Sequence, residues 1–253
     1  MLRGGGRSRP YRRLAASLDG RISYRTSIVS VDADAHIITT ADRRTIEYTH
    51  LLWTGPLDLL VGSLVSPPTD VASAAEELVH NSVTIVGIGY EAPTTDRRSW
   101  LYFPDPDVPF YRATNFAKYS AHNVPDGNTD RYCSWMTEIA SSPWRPSDRD
   151  PGSVANLTKR VDHAIREAGL VADDAPIASV HVEHLPYGYP VPTLGRDRAL
   201  SAIQPWLMAR GVLARGRFGA WRYELGNMDH AVKMGTDAAR LMANGEPEQA
   251  WTL

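Results

Sequence analysis

The run Gly216-Arg-Phe-Gly-Ala-Trp-Arg-Tyr-Glu-Leu-Gly-Asn-Met-Asp-His230 stands directly before a segment of helical periodicity. Met228, Ala231, Val232, Gly235, Ala238, Ala239 and Met242 recur at close to i, i+3, i+4, i+7 intervals. That spacing predicts an amphipathic helix over about residues 228–242 with this stripe buried. Asn227 falls at the N-cap and Asp229 in the first turn. A helix start offers free N–H groups and partial positive charge, which suits an anion or a carbonyl oxygen that gains electrons. A capped helix after a strand needs little more than a glycine and a cap. Arg217, Trp221, Arg222 and Tyr223, packed into seven residues between glycines, exceed what a structural turn requires.

Upstream, residues 82–90 (SVTIVGIGY) give the strongest strand signal. Residues 100–103 and 110–116 read as a strand pair around Pro104-Asp105-Pro106, and 132–139 as another strand. A helix follows, opened by Pro151 and Ser153, with Val154, Leu157, Val161, Ile165 and Ala168 as its buried stripe and Gly169 as its stop. Residues 177–185 are strand-like. Asp197 is placed to cap a helix with stripe Leu200, Ile203 and Leu207 that stops at Gly211. Nearer the start, 22–46 read as a β-meander, and His50-Leu-Leu-Trp-Thr-Gly-Pro56 as a short parallel strand with a Gly-Pro stop. Val71, Ala74, Ala75 and Leu78 keep helical spacing. Residues 1–20, Gly- and Arg-rich, are expected to be loosely ordered, with the stub of a helix at 14–18. Short turns mix with helical crossovers and no linker separates two composition blocks, so the expected class is mixed α/β or α+β with interleaved parts.

The bulk numbers exclude several classes. With 253 residues, 43% of them hydrophobic and 22% charged, the chain can bury a sizeable core. A net charge of −2 gives no basic field for nucleic acid. The single cysteine, Cys133, cannot form an internal disulfide, which points to a reducing, cytoplasmic setting. No apolar run approaches the roughly 20 residues that span a bilayer, so no membrane partner is expected. The arginines at 3, 7, 9, 12 and 13 precede no apolar segment and make no secretory signal.

Motifs that would name a chemistry outright are absent. Gly4-Gly5-Gly6 has no strand ahead of it, and Gly87-x-Gly89 opens no helix, so neither is a dinucleotide-binding turn. No P-loop, HExxH or GxSxG pattern occurs. His181 and His184 fall on opposite faces of a strand, so they read as structural or surface residues, and no metal is expected.

The 216–230 run, Tyr189-Pro-Val-Pro-Thr-Leu-Gly-Arg-Asp197 and Phe110-Tyr-Arg-Ala-Thr-Asn-Phe-Ala-Lys-Tyr-Ser120 together resemble the eukaryotic-type UDP-galactopyranose mutases and related FAD-dependent oxidoreductases. The three motifs come in the family's order, and the match covers roughly residues 50 to 243. The resemblance implies a partial amine-oxidase/mutase-like fold, with an incomplete Rossmann-like FAD domain and an antiparallel substrate-domain sheet. Residues 21–66 and 211–253 would belong to the FAD domain and 67–210 to the substrate domain. Residues 1–20 would be disordered or a relic segment. The chain would begin after the family's N-terminal FAD-binding region. A partner chain or a longer gene product would then supply that half, and the chain alone would be inactive.

Site roles follow from the same resemblance. Arg217 corresponds to an arginine beside the flavin. Gly226, Asn227, Met228 and Asp229 correspond to the turn facing the flavin pyrimidine edge. Arg112, Tyr119, Tyr189, Tyr223 and Asn227 correspond to residues on the substrate diphosphate, and Trp100 and Tyr102 to aromatics near the sugar. Read from the sequence alone, Trp100 and Tyr102 have an alternative as sheet packing, Arg112 as a surface strand residue and Asn227 as a plain cap, and Tyr119 is open either way. The implied reaction interconverts UDP-galactopyranose and UDP-galactofuranose, with N5 of reduced FAD as the nucleophile and no catalytic side chain. The alternatives are a non-catalytic remnant, a split subunit, or another FAD-dependent oxidoreductase of amine-oxidase type.

Overall fold

The computed structural model describes residues 8–146 and 153–251. In chain order the elements are α1 (Ser8–Ser17), β1 (Ile28–Asp32), β2 (Ile37–Thr40), β3 (Thr45–Glu47), β4 (Leu51–Trp53), α2 (Leu57–Gly62), α3 (Thr69–Glu76) and β5 (His80–Tyr90). Then come β6 (Trp100–Tyr102), β7 (Arg112–Asn115), β8 (Cys133–Ser141), α4 (Ser153–Glu167), β9 (Ile177–Pro190), α5 (Arg196–Met208), β10 (Val212–Ala214), α6 (Gly216–Gly219) and α7 (Met228–Asn244). The chain divides into two compact units: Met1–Ile22 with Asn81–Gly188, and Ser23–His80 with Tyr189–Leu253. Each unit is built from two separated stretches of the chain. Residues 67–80 and 189–210, read with the substrate domain, pack in the second unit.

In the first unit a five-stranded sheet runs β6-β7-β8-β5-β9. The long antiparallel register of β5 on β8, from Ser82↔Ser141 to Tyr90↔Cys133, sets two faces. Val86, Ile88, Tyr90, Ala113, Cys133, Trp135 and Ile139 form one face and are buried with Val161, Ala164 and Ile165 of α4. Alternation puts Ile85, Gly87, Ser134, Met136, Glu138, Arg112, Trp100 and Tyr102 on the other. In α4 the stripe corrects the sequence reading. Val154 and Ala168 are exposed, and Ala164 takes the buried place between Val161 and Ile165. The sheet is covered only by the middle of the helix, so an end residue of the right spacing has nothing to pack on. Pro151 lies outside the described residues. Arg166 secures the helix end by donating to Asp162 at 3.0 Å and to the carbonyls of Ala172, Asp173 and Ala175.

Burial raises the Cys133 thiol to a pKa of about 11, so little thiolate exists at neutral pH. Alkylation by iodoacetamide at pH 8 should be about a hundredfold slower in the native protein than in urea. Equal rates by mass spectrometry would show that β8 opens freely.

In the second unit β1, β2 and β3 form an antiparallel meander. It starts at Ile28, not Ile22, because 18–27 is turn, and Ile22 and Tyr24 are exposed. β10 pairs in parallel with β4, from Val212↔Leu51 to Ala214↔Trp53, as the Gly-Pro-terminated strand implied. The helices α3 and α5 bury Val71, Ala74, Ala75, Leu200, Ile203 and Leu207. Asp197 lies inside the first turn of α5, and Gly195 holds the cap position. α1 replaces the expected loose start over Ser8–Ser17. Gly4-Gly5-Gly6 is outside the described residues.

α7 begins at Met228 as expected, but its buried side is different. Met228 (63% exposed), Val232 (69%), Ala231 and Ala239 face outward, while Met234, Asp237 and Ala238 are buried. Asp237 can be buried because Gln249 and Ala250 donate backbone N–H groups to its carboxylate at 3.0 Å. Periodicity of apolar residues cannot register a face held by a hydrogen-bonded carboxylate.

Candidate functional site: an arginine clamp before the last helix

Ala214 ends β10, and Arg215 donates its N–H to Trp53 O at 2.9 Å, which fixes the exit from the parallel pair. Gly216 (φ +82) and Trp221 (φ +51) then take left-handed backbone conformations. Such a conformation is costly for a side chain as large as tryptophan, and the fully buried Trp221 ring, edge-on to His80 and Phe218, holds it there. The turn is thus pinned at both ends.

Between these pins the Arg217 guanidinium lies 4.6 Å from the centroid of the Tyr189 ring. Its Nη2 donates to Gly226 O. The guanidinium is so close over Gly226 that an added Cβ would meet Cζ at 2.8 Å. Tyr189 and Tyr223 rings are 5.7 Å apart. Arg196 reaches the same turn, donating from Nη1 to both Glu224 oxygens at 2.8 and 3.0 Å. The Glu224 carboxyl is held below its ordinary pKa by its own backbone N–H and by Arg196. Asn227 occupies the cap position of α7 in an extended conformation, but its side chain makes no capping bond. That removes the plain-cap reading and leaves the amide available beside the first N–H groups of the helix. Arg217 Nε is buried without a hydrogen-bond partner among the described residues.

In the first unit, Trp100 and Tyr102 are exposed and share one face of β6, and Trp100 stands edge-on to Tyr119 at 5.7 Å. Tyr102 is opposite Arg112, and Arg112 opposite Glu138. Arg112 donates from Nε at 3.0 Å and from Nη2 at 2.5 and 2.6 Å to the Glu138 carboxylate, which also accepts from Tyr111 Oη at 2.6 Å. Arg112 is therefore an ion-paired residue and not a plain surface strand position. The pair carries no net charge, which weakens the pull of Arg112 alone on a dianion.

The candidate positions fall into these two groups, one in each unit. Sequence reasoning missed Glu138, Arg215 and Arg196. Glu138 alone left a signal, an acid inside the apolar strand that follows Arg112. His181 contacts Glu183 on one face of β9 and His184 contacts Thr84. Among the described residues no group of three or more His, Cys, Asp or Glu could hold a metal ion, and no helix is long and apolar enough to cross a membrane.

The family described as flavin containing amine oxidoreductase matches residues 1–243. The chain belongs to that family. Among solved structures, reduced UDP-galactopyranose mutase aligns at 31% identity with a TM-score of 0.81, covering 88% of this chain and 47% of that one. A fatty acid isomerase from P. acnes that produces CLA aligns at 13% identity with a TM-score of 0.64, covering 92% and 51%. A putative protoporphyrinogen oxidase from Exiguobacterium sp. 255-15 aligns at 14% with a TM-score of 0.53, covering 74% and 40%. The last two show likeness of fold alone. This flavin-family chain spans about half the length of the mutase it matches.

The second unit fits a flavin. Arg217 Nε, buried and without a partner among the described residues, and the uncapped start of α7 present donors and positive potential of the kind an electron-rich ring edge takes.

Proposed function

We propose that this chain is the C-terminal half of a UDP-galactopyranose mutase-like isomerase of the eukaryotic type, using reduced FAD. The Arg217 clamp between Tyr189 and Gly226, at the start of α7, carries the reading. It sets a fixed cation at a helix start, suited to an electron-rich flavin edge, and beside it two phenols able to donate to a diphosphate. Each charge-assisted bond contributes about 1.5–3 kcal/mol. Reduced flavin supplies an electron-rich ring nitrogen able to displace the diphosphate from the anomeric carbon, without net redox change. The chain's own share is to hold the leaving group through Tyr189 and Tyr223, while Arg217 and the turn of Gly226, Asn227, Met228 and Asp229 would lie beside the flavin. Asn227 is placed for either ligand. By the same resemblance Trp100 and Tyr102 would serve the sugar, and Tyr119 and the Glu138-held Arg112 the diphosphate. A partner chain, or further sequence of the same protein, would supply the dinucleotide turn, in the cytoplasm.

The test expresses the chain alone and together with a polypeptide carrying the family's N-terminal half. Each sample is given dithionite-reduced FAD and UDP-galactofuranose, and products are separated by chromatography. UDP-galactopyranose formed only in the completed pair is the expected result. Peroxide release from amines by the oxidised pair, without isomerisation, would move the chain to amine oxidation. No flavin bound in either sample would make it a non-catalytic remnant.

A further inference from the structure

We propose that residues 246–251 form a strap that fixes the turn 215–227, with Glu248 and Trp251 as positioning residues for the Arg217 clamp. Its consequence for ligand binding rests on the function proposed above. Its effect on the turn does not. The strap follows directly on residues 1–243, which the family match covers.

Gly245, in a left-handed conformation (φ +72), ends α7 and reverses the chain. The segment that follows meets two buried charges. Arg215, only 1% exposed, donates from Nε and Nη2 to Glu248 at 2.7 and 2.5 Å. Asp237 accepts from Gln249 N and Ala250 N, with Lys233 Nζ at 2.5 Å. A buried charge stays buried only while it is paired and hydrogen-bonded. Glu248 is the carboxylate that pairs Arg215, and the two strap amides supply Asp237 with its backbone donors.

Trp251 closes the arrangement. Its ring has Arg215 Cζ at 4.0 Å and Arg222 Cζ at 5.4 Å. These two arginines flank the stretch that carries Arg217, and Arg222 N donates to Arg217 O at 3.1 Å. One indole thus spans both ends of the turn, while the strap's amides hold the helix that starts from it. Removing the strap leaves Arg215 and Asp237 to reach water, which they can do only by opening the turn and loosening α7. The seat of Arg217 on Gly226 goes with it.

The test is hydrogen exchange by mass spectrometry on the full chain and on Trp251→Ala, Trp251→Phe and Glu248→Gln. Trp251→Ala and Glu248→Gln should raise exchange in peptides covering 215–227 by about tenfold relative to those covering β1 to β3. Trp251→Phe, which keeps an aromatic face for both arginines, should restore protection. The isosteric Glu248→Gln reports even if Trp251→Ala does not fold. Unchanged protection of 215–227 in a folded variant would overturn the strap. So would equal loss over 28–47, which marks general destabilisation. If exchange responds as expected while the pair completed by the family's N-terminal half binds neither reduced FAD nor UDP, the strap stands and the proposed function falls.

Discussion

Glu138→Ala is expected to lower the unfolding free energy by about 3 kcal/mol, the lower end of the cost of breaking a buried ion pair. The Glu138 side chain is 8% exposed and Arg112 22%, so the abandoned guanidinium keeps some access to water, and the upper end of the range does not apply. The loss has two parts. Arg112 loses the carboxylate that its Nε and Nη2 donate to, and Tyr111 loses Glu138 as an acceptor for its phenol. Replacing both members, as in Arg112→Met with Glu138→Leu, removes the desolvated charges together and should return stability to within about 1 kcal/mol of the parent. Urea unfolding of the parent, both single variants and the double variant gives the coupling directly. A loss below about 1 kcal/mol for Glu138→Ala would equate the pair with a solvated surface contact. Arg112 would then be a mobile cation, and the reading of a prearranged neutral pair beside Trp100 and Tyr102 would fail.

What the sequence made legible follows from the kind of force involved. Strands β5 and β8 and helices α3 and α5 were readable because their buried sides are apolar and repeat with the period of the backbone. The parallel pairing of β4 was readable from its Gly-Pro stop. The buried side of α7 was not, because Asp237 anchors it through backbone amides twelve and thirteen residues further on. Arg215 was hidden for the same reason, since its burial depends on the distant Glu248 and periodicity carries no record of partners, while Glu138 showed only as an acid inside an apolar strand. In the candidate site, residue types were legible and commitments were not. Arg217, Tyr189 and Tyr223 were named as donors, and the structure adds that the arginine rests on one of the phenol rings and on a glycine carbonyl. Arg112 was named as a donor too, and it proves to be engaged with a carboxylate.

Gly226→Ala should separate the clamp from the fold. Gly226 has an ordinary helical backbone conformation (φ −87, ψ −4), so alanine is tolerated there without strain. The new methyl would run into the Arg217 guanidinium, with Cζ at 2.8 Å. The far end of a long side chain can move aside, so the fold should lose less than about 1 kcal/mol, close to an ordinary surface change. The cation, however, would leave the Gly226 carbonyl and the Tyr189 face. If Arg217 serves the flavin or the diphosphate, one charge-assisted bond is lost, about 1.5–3 kcal/mol or roughly 10- to 150-fold in affinity. Arg217→Ala should show the same loss of ligand affinity, and the two changes combined should cost no more than either alone, because both remove one contact. Titration of reduced FAD and of UDP by intrinsic fluorescence on the completed protein, beside urea unfolding, measures both quantities. Unchanged affinity in a stable Gly226→Ala variant would place the ligand away from this turn, and the functional reading built on it could not be kept.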